Sequence, residues 1–214
     1  MLEPSGLYYP NRIARVLFSA MDDVLGKGGL ATLLSFAQLD DHLTHLPPDD
    51  LARTFDFAAL ASLSQALEEM YGTRGGRGMA LRVGRAAFAA GFKRFGAMAG
   101  MADPAFQALP LDVRTRLGAA ALAAIFTNFS DQQTTVTEHE LHFELTTGYS
   151  PFAWGRTSER PVCNALVGMI QESLRWASQG LEFHVQETHC RAAGDELCVF
   201  RVNKKPIGVP AATS

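Results

Sequence analysis

RPVCNALVGMIQESLRWASQGLEFHVQETHCRAAGDELCVFRV, residues 160–202, is the stretch that decides the fold. Leu166, Met169, Ile170 and Leu174 recur at helical spacing, so Pro161–Gln179 is predicted to be a helix, with Pro161 in its first turn and Gly180 at its end. Glu182–Cys190 then alternates as a strand does. Ala193-Gly194-Asp195 reads as a turn, and Leu197–Val202 as the returning strand. A helix followed by a hairpin requires a sheet with a helix laid across one face.

Upstream, Val136 to Leu145 alternates with a period of two and is predicted to be one further strand with a single buried face. Gly148–Arg156 reads as an aromatic-bearing loop. Everything before residue 130 reads helical. Asn11 can cap a helix carrying Ile13, Val16, Leu17, Ala20, Met21 and Val24, and Gly26, Gly28 and Gly29 are expected to stop it. Leu30, Leu33, Leu34 and Ala37 suggest a second short helix. Phe57, Leu60, Leu63, Leu67 and Met70 mark another, ended by Gly72, and Gly75-Gly76-Arg77-Gly78 is expected to break the chain again. Met79–Met101 and Leu111–Asn128 read as two more helices, with corners at Pro104 and Pro110. No internal repeat is visible. The fold class is α+β: N-terminal helices packed on a small antiparallel sheet. The chain is expected to form a single domain over 1–206, helical to about residue 130 and sheet-bearing over about 131–206, followed by a loose tail at 207–214.

Composition narrows the function. Among the 214 residues, 47% are hydrophobic and 19% charged, which suits a folded core. The formal charge of −3 gives no reason to expect a nucleic acid or anionic lipid partner. Charge is nonetheless divided: residues 40–73 sum to −6 and residues 74–116 to +6. Two solvated faces, or a cationic rim for an anionic ligand, would both explain this. The longest apolar run, Leu117–Phe126, has ten residues. A membrane span needs roughly 20, so no transmembrane helix is expected. The opening MLEPSGLYYPNR lacks the basic end and apolar core of a signal peptide, so a cytoplasmic location is expected.

In that compartment the three cysteines, Cys163, Cys190 and Cys198, are expected to be free or metal-bound rather than paired. A Cys190–Cys198 disulfide is geometrically conceivable, since the hairpin brings the two near one another. Ordinary buried thiols are the plain alternative. Three thiolates need one further ligand to complete a tetrahedral zinc site, and Glu187, His189 and His184 lie within two strand positions.

Residues 160–202 resemble the 4-vinyl reductase domain. This family includes bacteriochlorophyll 4-vinyl reductase-like and hydrocarbon-binding proteins, and the sensor halves of phenol-responsive activators. The resemblance rests on Cys163, Gly168, Glu187-x-x-Cys190, Gly194-Asp195 and Cys198-x-Phe200. YYPNRIARVLFSAMDDVLGKGGL and YGTRGGRGMALRVGRAAF are similar to the helical half of stand-alone members. The resemblance implies a structural zinc on Cys163, Glu187, Cys190 and Cys198. It also implies a fold similar to the NO-signalling/Golgi-transport ligand-binding fold. In a regular strand Glu187 and His189 share a face while Cys190 points away, so Glu187 can join the cysteines only if the strand bulges near residue 189. Spacing alone favours His189.

The same resemblance implies a pocket for a small hydrophobic ligand or tetrapyrrole, plausibly a bacteriochlorophyll precursor. Its expected lining is Phe88, Phe92, Phe95, Phe126, Trp154, Met169 and Trp176, with Arg82 or Arg85 for a propionate. Reduction of the vinyl group of a divinyl protochlorophyllide-type substrate is an alternative. It would need a nicotinamide or flavin, and neither glycine cluster has the dinucleotide spacing or follows a strand. Ligation of haem or a magnesium tetrapyrrole by His139, His142 or His184 is a further option. A scaffold or sensor dimerisation module is another, because Ala86, Ala87, Ala90 and Gly91 would permit close helix contact in a homodimer.

Overall fold

The computed structural model describes residues 2–92 and 103–208. Two short strands, β1 (Tyr8–Pro10) and β2 (Arg53–Asp56), pair antiparallel, and each runs straight into a long helix, α1 (Asn11–Phe36) and α2 (Phe57–Ala87). Apolar residues at helical spacing explain the inner faces: Ile13, Leu17 and Met21 of α1, and Leu60, Leu63 and Leu67 of α2, are buried against each other. Asp56 caps α2, accepting the Ala58 N–H at 2.7 Å.

The two strand–helix units repeat. Tyr9 and Phe55 are register partners, and the helices kink at Gly26 (φ 72°, ψ 165°) and Gly72 (φ 70°, ψ 165°). Both pairs are separated by 46 positions. At the same offset stand Leu17 and Leu63, Ala20 and Ala66, Asp22-Asp23 and Glu68-Glu69, and Gly29 and Gly75. The expectation of no internal repeat is therefore corrected. The kinks fall at two of the expected helix stops, Gly26 and Gly72, where one helix gives way to a second. Only Gly26 and Gly72 leave helical geometry, while Gly28, Gly29, Gly75, Gly76 and Gly78 continue the helix. Some of these glycines serve close packing: a Cβ on Gly76 would lie 2.6 Å from the Leu67 carbonyl oxygen.

A wide helical turn, Phe88–Phe92, extends α2. Asp103 caps the short α3 (Pro104–Gln107), and α4 (Leu111–Phe129) follows. The sheet has four strands in the order β3–β4–β6–β5, all antiparallel: β3 (Thr134–Glu138), β4 (His142–Thr147), β5 (Phe183–His189) and β6 (Cys198–Pro206). The single strand expected from Val136 to Leu145 is in fact a hairpin, closed by the His139 N–H donating to the His142 carbonyl at 2.9 Å. Alternation continues in sequence through the tip, where neither Gly nor Pro marks a turn. Leu141 there is 72% exposed.

The helix α5 (Asn164–Ala177) covers the sheet and crosses α2 at backbone contact distance. It begins after Pro161 rather than at it. A Cβ on Gly168 would lie 2.1 Å from the Leu81 carbonyl oxygen, and one on Gly84 1.9 Å from that of Ala165. Phe143, Leu145, Phe183, Phe200 and Val202 of the sheet meet Leu166, Met169 and Ile170 of α5 in the core. The α+β architecture, with helices on a small antiparallel sheet, is the one expected.

Candidate metal centre

At one end of the sheet, three elements deliver four acidic side chains to one buried point. Cys163 occupies the residue before α5, Glu187 sits near the end of β5, and Cys190 and Cys198 flank the hairpin turn. One ligand atom from each lies within 4.8 Å of the others, and all four residues are buried. Cys163 Sγ and Cys198 Sγ are 4.0 Å apart. Metal–sulfur bonds of about 2.3 Å would set tetrahedral thiolates about 3.8 Å apart, so the sulfurs are spaced for a shared cation. The cysteines are free thiols, not a disulfide.

A bulge makes this possible. Glu187 opposes Phe200 while His189 opposes Val199, so β5 carries one extra residue at this point. Thr188 and His189 are consecutively exposed, and both Glu187 and Cys190 turn inward. His189 Nδ1 lies 3.2 Å from Thr188 Oγ1 on the outside, away from the cluster. The hairpin closes through a short 3₁₀ turn, Arg191–Ala193, and Gly194 at φ 99°. Asp195 fixes it by accepting the Cys190 N–H at 2.7 Å.

The electrostatics ask for a positive charge. Burial and the neighbouring Cys190 push Glu187 up to about 8. Burial likewise pushes the Cys163 thiol well above its usual range. Hydrogen bonds from Cys163 and Cys198 pull Cys190 down, so one thiolate is shared among donors that hold their protons. Glu187 Oε2 accepts the Cys163 backbone N–H at 2.8 Å, whereas Oε1 is buried and finds no hydrogen-bond partner among the described residues. A buried carboxylate oxygen without a hydrogen-bond partner, in a cluster with three sulfurs, fits a ligand atom for a cation. Three thiolates and a carboxylate make a closed four-donor set with no open position, which suits a structural ion rather than a catalytic one.

Sequence reasoning missed the supports of this cluster. Ser150 Oγ lies 3.1 Å from the Cys163 sulfur, and Cys198 Sγ accepts the Arg191 N–H at 3.4 Å. Ser150 and Arg191 also line an open cavity of about 330 Å³ with Glu3, Tyr149, Ala153, Trp154, Gly155 and Arg156. The Arg191 guanidinium sits 4.6 Å from the Tyr149 ring centre, and the Tyr149 and Trp154 rings are 5.9 Å apart. Trp154 Nε1 donates to the Glu3 carbonyl at 3.1 Å, which brings the N-terminal segment to the cavity edge.

Among the described residues, those expected to form one ligand pocket are spread over different places. Phe126 and Met169 are buried in the core. Phe88 and Trp176 line a separate cavity of about 250 Å³ with Glu172 and Arg175. Trp154 belongs to the cavity beside the cluster. Arg85, expected to meet a propionate, is paired with Glu172 at 3.0 Å and Glu182 at 2.7 Å. Arg82 is exposed, with its Nη1 3.9 Å from the Met79 sulfur. Phe95 and the Phe92 side chain lie outside the described residues. Gly91, expected at a dimer contact, packs within the chain: its Cβ would lie 2.5 Å from Val16.

No protein-family model and no curated protein matches the sequence. Solved structures do. The fold is that of H-NOX and phenol-sensing domains. The phenol-responsive sensory domain of the transcription activator PoxR, solved with phenol, is 17% identical over 71% of this chain and 77% of its own, with a TM-score of 0.52. An H-NOX protein from S. oneidensis in the Fe(II)NO ligation state is 12% identical over 88% of this chain and 97% of its own, at 0.54. A structure from work on haem distortion in the H-NOX family is 14% identical over 94% and 98%, at 0.55. These identities establish the fold alone.

They also correct the family reading. The chain is not identified as a 4-vinyl reductase-domain protein, and the bacteriochlorophyll precursor and the vinyl reduction fall with that identification. The assignment of zinc falls too: the donor set accepts a thiophilic cation and does not single out zinc. Haem, which the H-NOX neighbours suggest, meets an obstacle in this chain. All six histidines lie in the described residues and none is buried. His42 packs at the surface beside Phe18 and Phe55, and His184 and His189 are exposed on β5. The three cysteines are gathered in the cluster. A haem held by histidine or cysteine inside the helix–sheet interior does not fit these residues. No described helix is long and apolar enough to cross a membrane.

Proposed function

We propose that this chain is a small-molecule sensory module whose effector site is the open cavity beside the four-donor cluster. The observation that carries the reading is the pair of direct links between cavity wall and cluster. Ser150 touches the Cys163 sulfur, and the Arg191 N–H touches the Cys198 sulfur. Cys163, Glu187, Cys190 and Cys198 hold one thiophilic metal cation, which ties the start of α5 to the β5–β6 hairpin. A ligand pressing on Tyr149, Trp154 or Arg191 then acts on a rigid, metal-fixed corner, and the N-terminal segment at Glu3 responds. Two aromatic rings, a serine hydroxyl and a guanidinium suit a small ring compound with one polar or anionic group. The PoxR domain with phenol supports a monocyclic effector, and the surface position of every histidine speaks against haem. A homodimer would give such a module a way to transmit the change.

Trp154 provides the test. In a Trp176→Phe background it is the sole tryptophan, and phenols added to about 1 mM should quench or shift its emission saturably. Tyr149→Ala should weaken the effect about tenfold. Emission indifferent to monocyclic phenols, together with stoichiometric haem uptake, would overturn the reading.

A further inference from the structure

At the end of β4 away from the cysteines, His139, His142 and Glu144 form a second donor group. Thr147 opposes Cys198 across the sheet, while His142, five residues along the strand, opposes Asn203. At roughly 3.4 Å per residue this places the group about 17 Å from the buried cluster. His142 Nε2 lies 3.2 Å from Glu144 Oε1, and His139 Nε2 lies 3.3 Å from Glu144 Oε2. The two imidazoles stack with ring centres 4.5 Å apart and planes inclined by 15°. One ligand atom from each of the three residues lies within 4.8 Å of the others.

We propose that His139, His142 and Glu144 bind a divalent first-row transition-metal ion of the copper or nickel kind. The hairpin delivers the donors: the His139 N–H bonded to the His142 carbonyl closes the tip and holds both rings on one side. Metal–nitrogen and metal–oxygen bonds of about 2.0–2.2 Å place neighbouring donors about 3.0–3.5 Å apart in octahedral or tetrahedral centres, which brackets both nitrogen–oxygen separations. Arg201 opposes Glu144 across the sheet but is exposed and forms no ion pair with it among the described residues; Lys204 is engaged by Glu138 at 2.7 Å, and Arg116 approaches that same carboxylate at 4.0 Å. Glu144 is left to the histidines. Imidazole and carboxylate donors distinguish this site from the sulfur-rich one. With three protein donors at the surface, coordination positions remain for water, a small ligand or a donor from another chain. The inference is independent of the sensory reading.

Calorimetric titration of the full chain tests it, with the cysteine cluster first loaded with cobalt and the thiolate–cobalt absorption followed throughout, so that exchange at the thiolates is counted separately. Wild type should bind one further equivalent of Ni²⁺ or Cu²⁺ more tightly than about 100 μM, with Cu²⁺ the tighter. The Cu²⁺ paramagnetic resonance spectrum should carry coupling to two imidazole nitrogens. His142→Asn should reduce this to one and weaken binding about tenfold or more. His139→Ala with Glu144→Gln should abolish the second equivalent while the thiolate–cobalt absorption persists, which shows that the fold survives. A second equivalent of unchanged affinity in these variants, or none in wild type, would overturn the proposal.

Discussion

Glu187 Oε2 accepts the backbone N–H of Cys163 at 2.8 Å, so the carboxylate reaches from β5 to the start of α5. This bond holds the side chain in place while Oε1 stays free for a cation. Replacing Glu187 by Gln keeps an acceptor for the N–H but removes the anionic donor. We expect the variant to fold, to bind metal at least about tenfold more weakly, and to lose the metal-dependent part of its stability. Chemical denaturation with and without chelator measures that loss. An unchanged chelator effect would count against a role for Glu187.

The crossing of α2 and α5 depends on glycines. Gly168→Ala would drive a methyl into the Leu81 carbonyl at 2.1 Å, where backbone rather than a flexible side chain must yield. A loss of about 1–3 kcal/mol or more is expected in a denaturant melt. Gly78→Ala is the contrast. It sits in the helix with nothing within 4 Å, and should be neutral or stabilise by up to about 1 kcal/mol.

The repeated kinks should respond alike. Gly26 and Gly72 share a backbone conformation open essentially to glycine, and a Cβ on either would meet open space. Gly26→Ala and Gly72→Ala should therefore each cost about 1–3 kcal/mol through the backbone alone. Costs differing by much more than that range would show that the two halves are not equivalent.

Asp56 links the N-terminus to α2. Burial pushes its pKa up, but hydrogen bonds from Ser5 Oγ and from the N–H groups of Ala58, Ser5 and Gly6 outweigh this and hold it below the usual carboxylate range. A depressed folded-state value means the stabilisation is present above the unfolded value, near pH 4, and disappears as pH falls through the folded one. Asp56→Ala should cost about 1–2 kcal/mol at neutral pH. The gap between variant and wild type should close in melts taken at progressively lower pH below about 4.

Much of this architecture was legible in the residues, and the gaps have physical causes. Period-two alternation in Glu182–Cys190 and Leu197–Val202 identified the β5–β6 hairpin; spacing alone favoured His189 over Glu187, and the bulge at Thr188 and His189 is what lets Glu187 turn inward with Cys190 instead. The β3–β4 hairpin was hidden because the alternation runs on through Glu140 and Leu141 without a turn residue. Glycine clusters read as stops were mostly helical, since buried contacts such as Gly76 against Leu67 outweigh poor propensity. The repeat escaped notice because only scattered positions, among them Leu17 and Leu63, match. The family reading went too far for a different reason. Cysteine and glutamate spacing constrains a donor cluster and says nothing about what fills a cavity. The cavity beside it draws on Glu3, Tyr149, Arg156 and Arg191, residues far apart in sequence and without a shared pattern.

The most direct test is native mass spectrometry of the purified chain, joined to cobalt substitution. The account predicts one tightly held metal ion per chain, a sulfur-to-cobalt charge-transfer band after exchange, and loss of both in Cys198→Ser, with stability falling by several kcal/mol. A folded, metal-free chain whose stability ignores chelator and whose cobalt spectrum lacks thiolate bands would contradict it.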